Sequence, residues 1–208
     1  IDHNVFDNVY GTHGGTSWDV RTIGYAIRVD RTTTFTQWEP LTNLLGQYTN
    51  RTVFIEDNYF TKWRHLAVGN HGAHYVFRRN KVVGGRGFGE FDIHPEWNSP
   101  YVGGRCVEVY ENEFLNPEPE PGFVVFAGVL HSGSGVFFNN TLSGYQLFIQ
   151  CYNNGWSASF YPHDLYIWDN NLGGATLIAG PVEEGVHYFR YKPDWYTPFL
   201  YPHPFTLR

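Results

Sequence analysis

Short segments of alternating apolar and polar residues recur along the chain, each with an asparagine at the same phase. The clearest copy is residues 53–60, which contains Asn58, and later copies follow at intervals of 22, 32, 28 and 30 residues. Alternation with a period of two is typical of β-strands, and no amphipathic stretch of helical period is long enough to predict a helix. The asparagines that share this phase are Asn4, Asn58, Asn80, Asn112, Asn140 and Asn170.

Each repeat contains a strand, an asparagine and a second strand. This pattern predicts a solenoid with one coil per repeat. Asparagine tolerates the left-handed backbone of a sharp corner, and its amide can bond to backbone groups and to the asparagine of the next coil. A third strand follows each corner, at residues 65–70, 91–94, 124–127, 147–150 and 175–178. An antiparallel sandwich also has alternating strands, but it gives no reason for the fixed asparagine phase. The predicted fold class is therefore all-β: a right-handed, single-stranded parallel β-helix with an asparagine ladder.

The alternation also predicts which side chains face the interior. Residues five and three positions before each asparagine, such as Val53 and Ile55, are expected to point inward. Residues four and two positions before it, such as Phe54 and Glu56, are expected to point outward.

Two segments depart from the repeat. Residues 11–50 form a Thr-rich insertion that is either a degenerate coil around residues 23–27 or a long loop. The aromatic and Pro-rich segment 181–208 is expected to cover the solenoid as a cap or strap, with an aromatic sugar-binding platform as the alternative. The predicted organisation is a β-helix over 1–180 and a C-terminal cap segment over 181–208. The side chains expected under this cap are Tyr110, Phe138 and Trp168.

Composition narrows the classes of partner. A net charge of −6 with only 16% charged residues argues against nucleic acid. No apolar stretch approaches the roughly 20 residues that span a bilayer. The chain opens at Ile1 without methionine, so we expect a processed or trimmed product. Cys106 and Cys151 fit no metal motif, which leaves buried thiols or a disulfide.

Several coils resemble a known superfamily. Residues 1–6, Ile-Asp-His-Asn-Val-Phe, resemble the Ile-Asp-His-Asn/Cys-x-Phe coil of pectate-lyase-like β-helix proteins. Residues 74–80, 105–112 and 135–141 are similar to coils of bacterial right-handed β-helix repeat proteins of that superfamily. The resemblance covers most of 1–175. It implies a secreted or cell-surface protein that acts on polysaccharide as a lyase, hydrolase or epimerase, or a binding or adhesin module.

The resemblance also bears on cofactors, because lyases of this superfamily often use Ca²⁺ held by acidic residues. Ca²⁺ is therefore a candidate cofactor, although no cluster of Asp residues has a clear Ca²⁺ spacing. The lyases commonly use Lys or Arg as the base, and this chain has only three lysines. This departure argues against a pectate-lyase-type mechanism.

Polar residues are densest between positions 62 and 111. Adjacent coils lie about 4.8 Å apart, so the strand with His65 and Asn70 is expected beside the strand with Asp92 and His94. Glu90 is expected to share the outward face of Asp92 and His94. A histidine and a carboxylate on neighbouring coils could serve as a general base and its orienting partner.

Arginine side chains in the same region suit a substrate carboxylate. The predicted catalytic residues are His65, Asp92, His94 and Arg105, and the predicted substrate-binding residues are Arg64, Asn70, His71 and Glu90. A metal site from His71, His74 or His94 with Asp92 is not favoured, because no HxxxH or HExxH spacing supports it. The alternative is that these side chains are solvated on the surface or that the histidines only stabilise turns.

Two functions follow as hypotheses. The first is an extracellular protein that engages polysaccharide and cleaves it along the face around His65, Asp92, His94 and Arg105. The second is a non-catalytic surface or structural module, such as an adhesin, fibre or tailspike-like piece, that self-associates through its coil ends. An enzyme requires converging acid–base groups, whereas a binding module requires only an aromatic and polar groove.

Overall fold

The computed structural model describes a chain built of β-strands. Its described residues are 1–7, 25–30, 52–63, 65–70, 72–83, 88–94, 107–119, 122, 124–152 and 161–203. Within these ranges all regular structure is β, and no helix long and apolar enough to cross a membrane occurs.

Seventeen strands form three sheets in the described residues. The first sheet contains β1 (Val5–Asp7), β4 (Tyr59–Thr61), β7 (Lys81–Val83), β10 (Glu113–Leu115) and β13 (Thr141–Ser143). The second contains β2 (Tyr25–Asp30), β5 (His65–Asn70), β8 (Phe88–Ile93), β11 (Phe126–Leu130), β14 (Leu147–Cys151) and β16 (Thr176–Ala179). The third contains β3 (Val53–Glu56), β6 (Tyr75–Arg78), β9 (Val107–Tyr110), β12 (Gly135–Phe138), β15 (Leu165–Trp168) and β17 (Tyr188–Phe189).

Every strand pairing within these sheets is parallel, and the paired strands come from successive repeats rather than from neighbouring positions in the sequence. Parallel pairing needs a long connection between partners, which here is the rest of one repeat. The antiparallel sandwich is thereby excluded for the described strands. The arrangement is consistent with a parallel β-helix.

The main hydrophobic core lies between the three sheets. Ile55, Phe77 and Val109, which the alternation predicts to be inward, are fully buried in it. Phe60 and Phe114, two residues after their asparagines, complete the same core from the first sheet. The inward prediction is confirmed because side chains of consecutive strand residues alternate between the two faces.

The repeated asparagines are bonded to one another. From each repeat to the next, the side-chain Nδ2 donates to the Oδ1 of the following asparagine at 2.9 to 3.2 Å. The backbone N–H of the same asparagine also donates to that Oδ1, as from Asn80 to Asn112 at 3.0 Å. We call this the asparagine series; its members are Asn4, Asn58, Asn80, Asn112, Asn140 and Asn170.

The left-handed residue at each corner is not the asparagine, as the sequence argument had it, but the residue before it. Asp57, Arg79 and Glu111 have φ of 58°, 54° and 57°, and His3, Asn139 and Asp169 are similar. The corner asparagine uses its Nδ2 to bond the carbonyl two residues back, as Asn112 does to Tyr110 at 3.1 Å. Since the asparagine amide is used in these bonds, the reversal of the backbone falls on the preceding residue.

The outward face of the third sheet is buried by the C-terminal segment, so Phe54 and Val76 are buried although they point away from the main core. Tyr196 packs edge-on against Phe138 and Trp168, with ring centroids 5.9 and 5.8 Å away. Its hydroxyl donates to Glu108 Oε2 at 2.6 Å. We call residues 195–203 the C-terminal strap.

Two other sequence expectations can be compared with the structure only in part, because some of their residues lie outside the described ranges. Within the insertion 11–50, Tyr25–Asp30 forms β2 and pairs in parallel with β5, and the rest of that insertion lies outside the described residues. Cys151 is a buried free thiol, whereas Cys106 lies outside the described residues.

Candidate functional site

Parallel pairing brings the predicted polar residues of the second sheet together. In β5 and β8, Val68 is opposite Asp92 and Gly69 is opposite Ile93. The prediction that the strand of His65 lies beside the strand of Asp92 is therefore confirmed. In the next repeat Leu130 is opposite Ile93, so that His94 and His131 both follow the last paired residue of their strands.

Asp92 is the centre of this cluster. It is fully buried, and its Oδ2 lies 3.0 Å from His94 Nε2 and 3.5 Å from His65 Nδ1. His65 Nδ1 also lies 2.6 Å from the carbonyl oxygen of Gly89, which fixes that ring nitrogen as the donor. The His94 side chain is 23% exposed, whereas Asp92 is fully buried, so solvent reaches this ion pair through His94.

Two opposing effects set the protonation of Asp92. Burial raises its pKa, because desolvation disfavours a carboxylate, while His94, His65 and His131 lower it. The histidines prevail, so that the pKa of Asp92 lies below its ordinary value and the carboxylate is ionised near neutral pH. A buried carboxylate held ionised beside imidazoles is a pattern that occurs at functional sites.

A column of rings flanks the buried carboxylate. His94 stacks on His131, with centroids 4.1 Å apart, and His131 stacks on Tyr152 at 5.1 Å. Tyr152 is 39% exposed. We call His94, His131 and Tyr152 the ring column.

Sequence reasoning missed His131 and Tyr152, although a signal was present. Ile93, Leu130 and Cys151 occupy one register position across the second sheet. Each residue of the ring column directly follows one of these three residues. The predicted third strands 124–127 and 147–150 end before His131 and Tyr152, so only an alignment of 91–94 with 128–131 and 149–152 would have placed the three rings together.

Glu90 does not share the face of Asp92, which corrects the sequence expectation. It is fully buried and accepts a hydrogen bond at 2.9 Å from Tyr145, a residue of the main core. The register between β8 and β11 shifts between Phe88 and Phe91, so β8 carries one extra residue there. Such a bulge reverses the side-chain alternation, and Gly89 adopts the positive φ of 89° that the bulge requires.

Several predicted site residues cannot be placed at the cluster. Arg64, His71 and Arg105 lie outside the described residues, and only the backbone of Asn70 is described, in β5. His65, Asp92 and His94 are the predicted residues that the structure brings together.

The cluster also has the composition of a metal-binding group. One ligand atom each from Asp92, His94 and His131 lies within 4.8 Å of the others, the one such group of three in the described residues. Spacing motifs could not indicate it, because its histidines come from different strands. The other predicted metal candidate that is described, His74, is buried and does not belong to this group.

No family model, curated protein or solved structure matches this sequence.

Proposed function

We propose that this chain is a secreted or cell-surface protein that engages polysaccharide, with its reacting groups in the Asp92 cluster. In this proposal the fold is a right-handed parallel β-helix of the pectate-lyase-like type, with the asparagine series as its ladder and the C-terminal strap as its covering segment. The parallel sheets and the bonds between asparagines support that fold assignment.

The observation that carries the proposal is the ring column beside the fully buried carboxylate of Asp92. Tyr152 offers an exposed aromatic surface on which a sugar ring can pack, since aromatic rings contribute large apolar contact areas. His94 lies two rings away and contacts Asp92. A bound polysaccharide on Tyr152 would therefore pass the accessible edge of the cluster.

The chemistry assigns His94 as the proton acceptor and Asp92 as the carboxylate that orients it. In a lyase reaction on a uronic residue, the imidazole takes the C5 proton and the C–H electrons form the C4–C5 double bond. The C4–O bond breaks, and the leaving oxygen keeps its electron pair and takes a proton from solvent. Arg105 and Arg64 remain the predicted ligands of the substrate carboxylate, with Asn70 and His71 as further predicted contacts. Glu90 is no longer among them, because it is buried against Tyr145. A hydrolase using the same cluster is the variant of this proposal.

A second candidate is a non-catalytic surface or structural module. Tyr166 makes edge-on contacts with Tyr191 and Trp195, and the latter two are 55% and 39% exposed. This exposed aromatic group favours a binding role at the last coil. Self-association would use the terminal strands of the described sheets, such as β1 and β17.

The test is a degradation screen of the purified chain against polygalacturonate, alginate and neutral glucans, with and without Ca²⁺. New ultraviolet absorbance from an unsaturated uronate would establish a lyase, and reducing ends without it a hydrolase. His94→Ala is expected to abolish the activity. His163→Ala is the matched control, because His163 is 27% exposed, pairs with Asp164 at 2.6 Å and is not a member of the Asp92, His94 and His131 group. No product on any substrate from a folded sample would overturn the catalytic proposal and favour the binding module.

A further inference from the structure

We propose that Asp92, His94 and His131 bind a divalent transition-metal ion, for which Zn²⁺ is the probe. The three candidate ligand atoms lie within 4.8 Å of one another, and His94 Nε2 is 3.0 Å from Asp92 Oδ2. A tetrahedral zinc ion with bonds of about 2.0–2.1 Å places its ligand atoms roughly 3.4 Å apart. The 3.0 Å separation is close to that value, and the 4.8 Å limit on the other separations is compatible with it.

The backbone holds the two histidines in position. The N–H of His94 donates to the carbonyl of Gly69 at 3.0 Å, and the N–H of His131 donates to that of Ile93 at 3.0 Å. These bonds continue the parallel ladder beyond the strands, so both rings leave rigid elements rather than a loop. Preorganised ligands of this kind favour tight and specific metal binding.

The buried carboxylate supplies an independent indication of a ligand. Asp92 is fully buried, and within the described part of the chain no donor makes a hydrogen bond to its Oδ1. A buried carboxylate oxygen without a donor is costly, and a bound cation removes that cost. The carboxylate is therefore suited to serve as an anionic ligand.

The donor set identifies the class of ion. Two imidazoles and one carboxylate match catalytic zinc sites, in which an open position holds water, and also 2-His-1-carboxylate iron sites. Ca²⁺ and Mg²⁺ prefer oxygen ligands, so the cluster is expected to discriminate against both ions. The Ca²⁺ that the family resemblance implies is therefore not expected at this group.

His65 lies beside the proposed metal site but is not one of its ligands. Its Nδ1 is 2.6 Å from the Gly89 carbonyl and 3.5 Å from Asp92 Oδ2, so this nitrogen donates to the protein. A residue in that place orients the carboxylate, as partners of metal ligands commonly do.

Metal binding would regulate the chemistry proposed for the same cluster. An ion on His94 Nε2 leaves the imidazole proton on Nδ1, so a metal-bound His94 is no longer a proton acceptor. If the cluster acts as a base, Zn²⁺ is expected to inhibit cleavage; this consequence alone rests on the proposed function. Binding of the metal itself can be measured without any polysaccharide.

The experiment is calorimetric titration of Zn²⁺ into the full chain after chelator treatment and dialysis, with Co²⁺ absorption as the coordination readout. We expect a single ion per chain and a Co²⁺ spectrum typical of four- or five-coordinate nitrogen and oxygen ligands. His131→Ala and His94→Ala are each expected to weaken binding by more than about 100-fold, because even partners that only orient a ligand account for about 10–100-fold. Ca²⁺ in place of Zn²⁺ should give no binding.

The chain has ten histidines, so a control for unspecific binding is essential. His163→Ala removes another histidine that is paired with a carboxylate, and it should bind like the wild type. Circular dichroism verifies that each variant is folded. The proposal would be overturned if the folded wild type bound no Zn²⁺, or if folded His131→Ala and His94→Ala bound it unchanged. Neither result tests polysaccharide binding or cleavage, which the polysaccharide assays measure separately.

Discussion

Arg78 Nε lies 2.6 Å from Glu56 Oε2, and neither side chain is exposed to solvent. The same guanidinium donates to the carbonyl oxygens of Phe199 and Leu200 at 2.9 and 2.8 Å. The ion pair therefore connects two strands of the third sheet to the C-terminal strap. A buried charge pair is stable only when its remaining donors are satisfied, and here the strap supplies acceptors.

Replacing Arg78 tests this connection. Arg78→Met is expected to lower the free energy of unfolding by about 3–5 kcal/mol, because it leaves Glu56 buried without its counter-ion. Denaturant unfolding followed by tryptophan fluorescence measures the change.

Lys81→Met is the matched control, because Lys81 forms an exposed pair with Glu113 at 3.1 Å. It should change stability by no more than about 1 kcal/mol. Equal effects of the two substitutions would show that the buried pair does not fasten the strap.

The asparagine series predicts a second effect on stability. Asn112 accepts from Asn80 and donates to Asn140 and to the carbonyl of Phe77. Asn112→Ala leaves several buried groups without partners and should cost about 2–4 kcal/mol by denaturant unfolding. Asn171→Ala, at an exposed position, should cost less than about 0.5 kcal/mol. A loss for Asn112→Ala as small as the control would contradict a stabilising role of the series.

The strap is expected to be sensitive to pH through His203. Its ring stacks on Phe54 at 3.8 Å, and its backbone N–H donates to Glu56 Oε1 at 3.2 Å. Burial lowers the pKa of His203 below its ordinary value of 6.5, so the unfolded chain binds this proton at a higher pH than the folded chain. The His203 contribution to stability is therefore present above pH 6.5 and is lost as pH falls through the lowered pKa.

Denaturant midpoints of the wild type and His203→Gln, taken between about pH 7.5 and about pH 5, measure this contribution. The glutamine variant should lose less stability on acidification than the wild type. Parallel curves for the two proteins would exclude His203 as a source of the pH dependence.

Cys151 gives a prediction about reactivity. Its thiol is buried, and burial raises its pKa to about 12. Since the thiolate is the reactive form, iodoacetamide should leave Cys151 unmodified in the native protein and label it in urea, as peptide mass spectrometry would show. Native labelling as fast as labelling in urea would contradict the burial.

The sequence allowed the repeat, the interior positions and the neighbourhood of Asp92 and His94 to be predicted, because alternation and asparagine phase fix which strands stack. It did not locate the left-handed residue, since Arg79 and Glu111 carry no turn signal of their own. Glu90 was misplaced because a single extra residue in β8 reverses the alternation, and only the pairing register reveals it. His131 was missed because cluster partners on separate coils have no fixed sequence spacing.

Polysaccharide engagement at the ring column is tested most directly by affinity electrophoresis of the folded chain through gels that contain polygalacturonate, alginate or a neutral glucan. We predict that at least one polysaccharide retards the wild type and that Tyr152→Ala abolishes the retardation. Tyr59→Ala is the matched control, because Tyr59 is 38% exposed on a different sheet, and it should migrate like the wild type. Unretarded migration of the wild type in every gel, or equal retardation of Tyr152→Ala, would contradict polysaccharide engagement at the ring column.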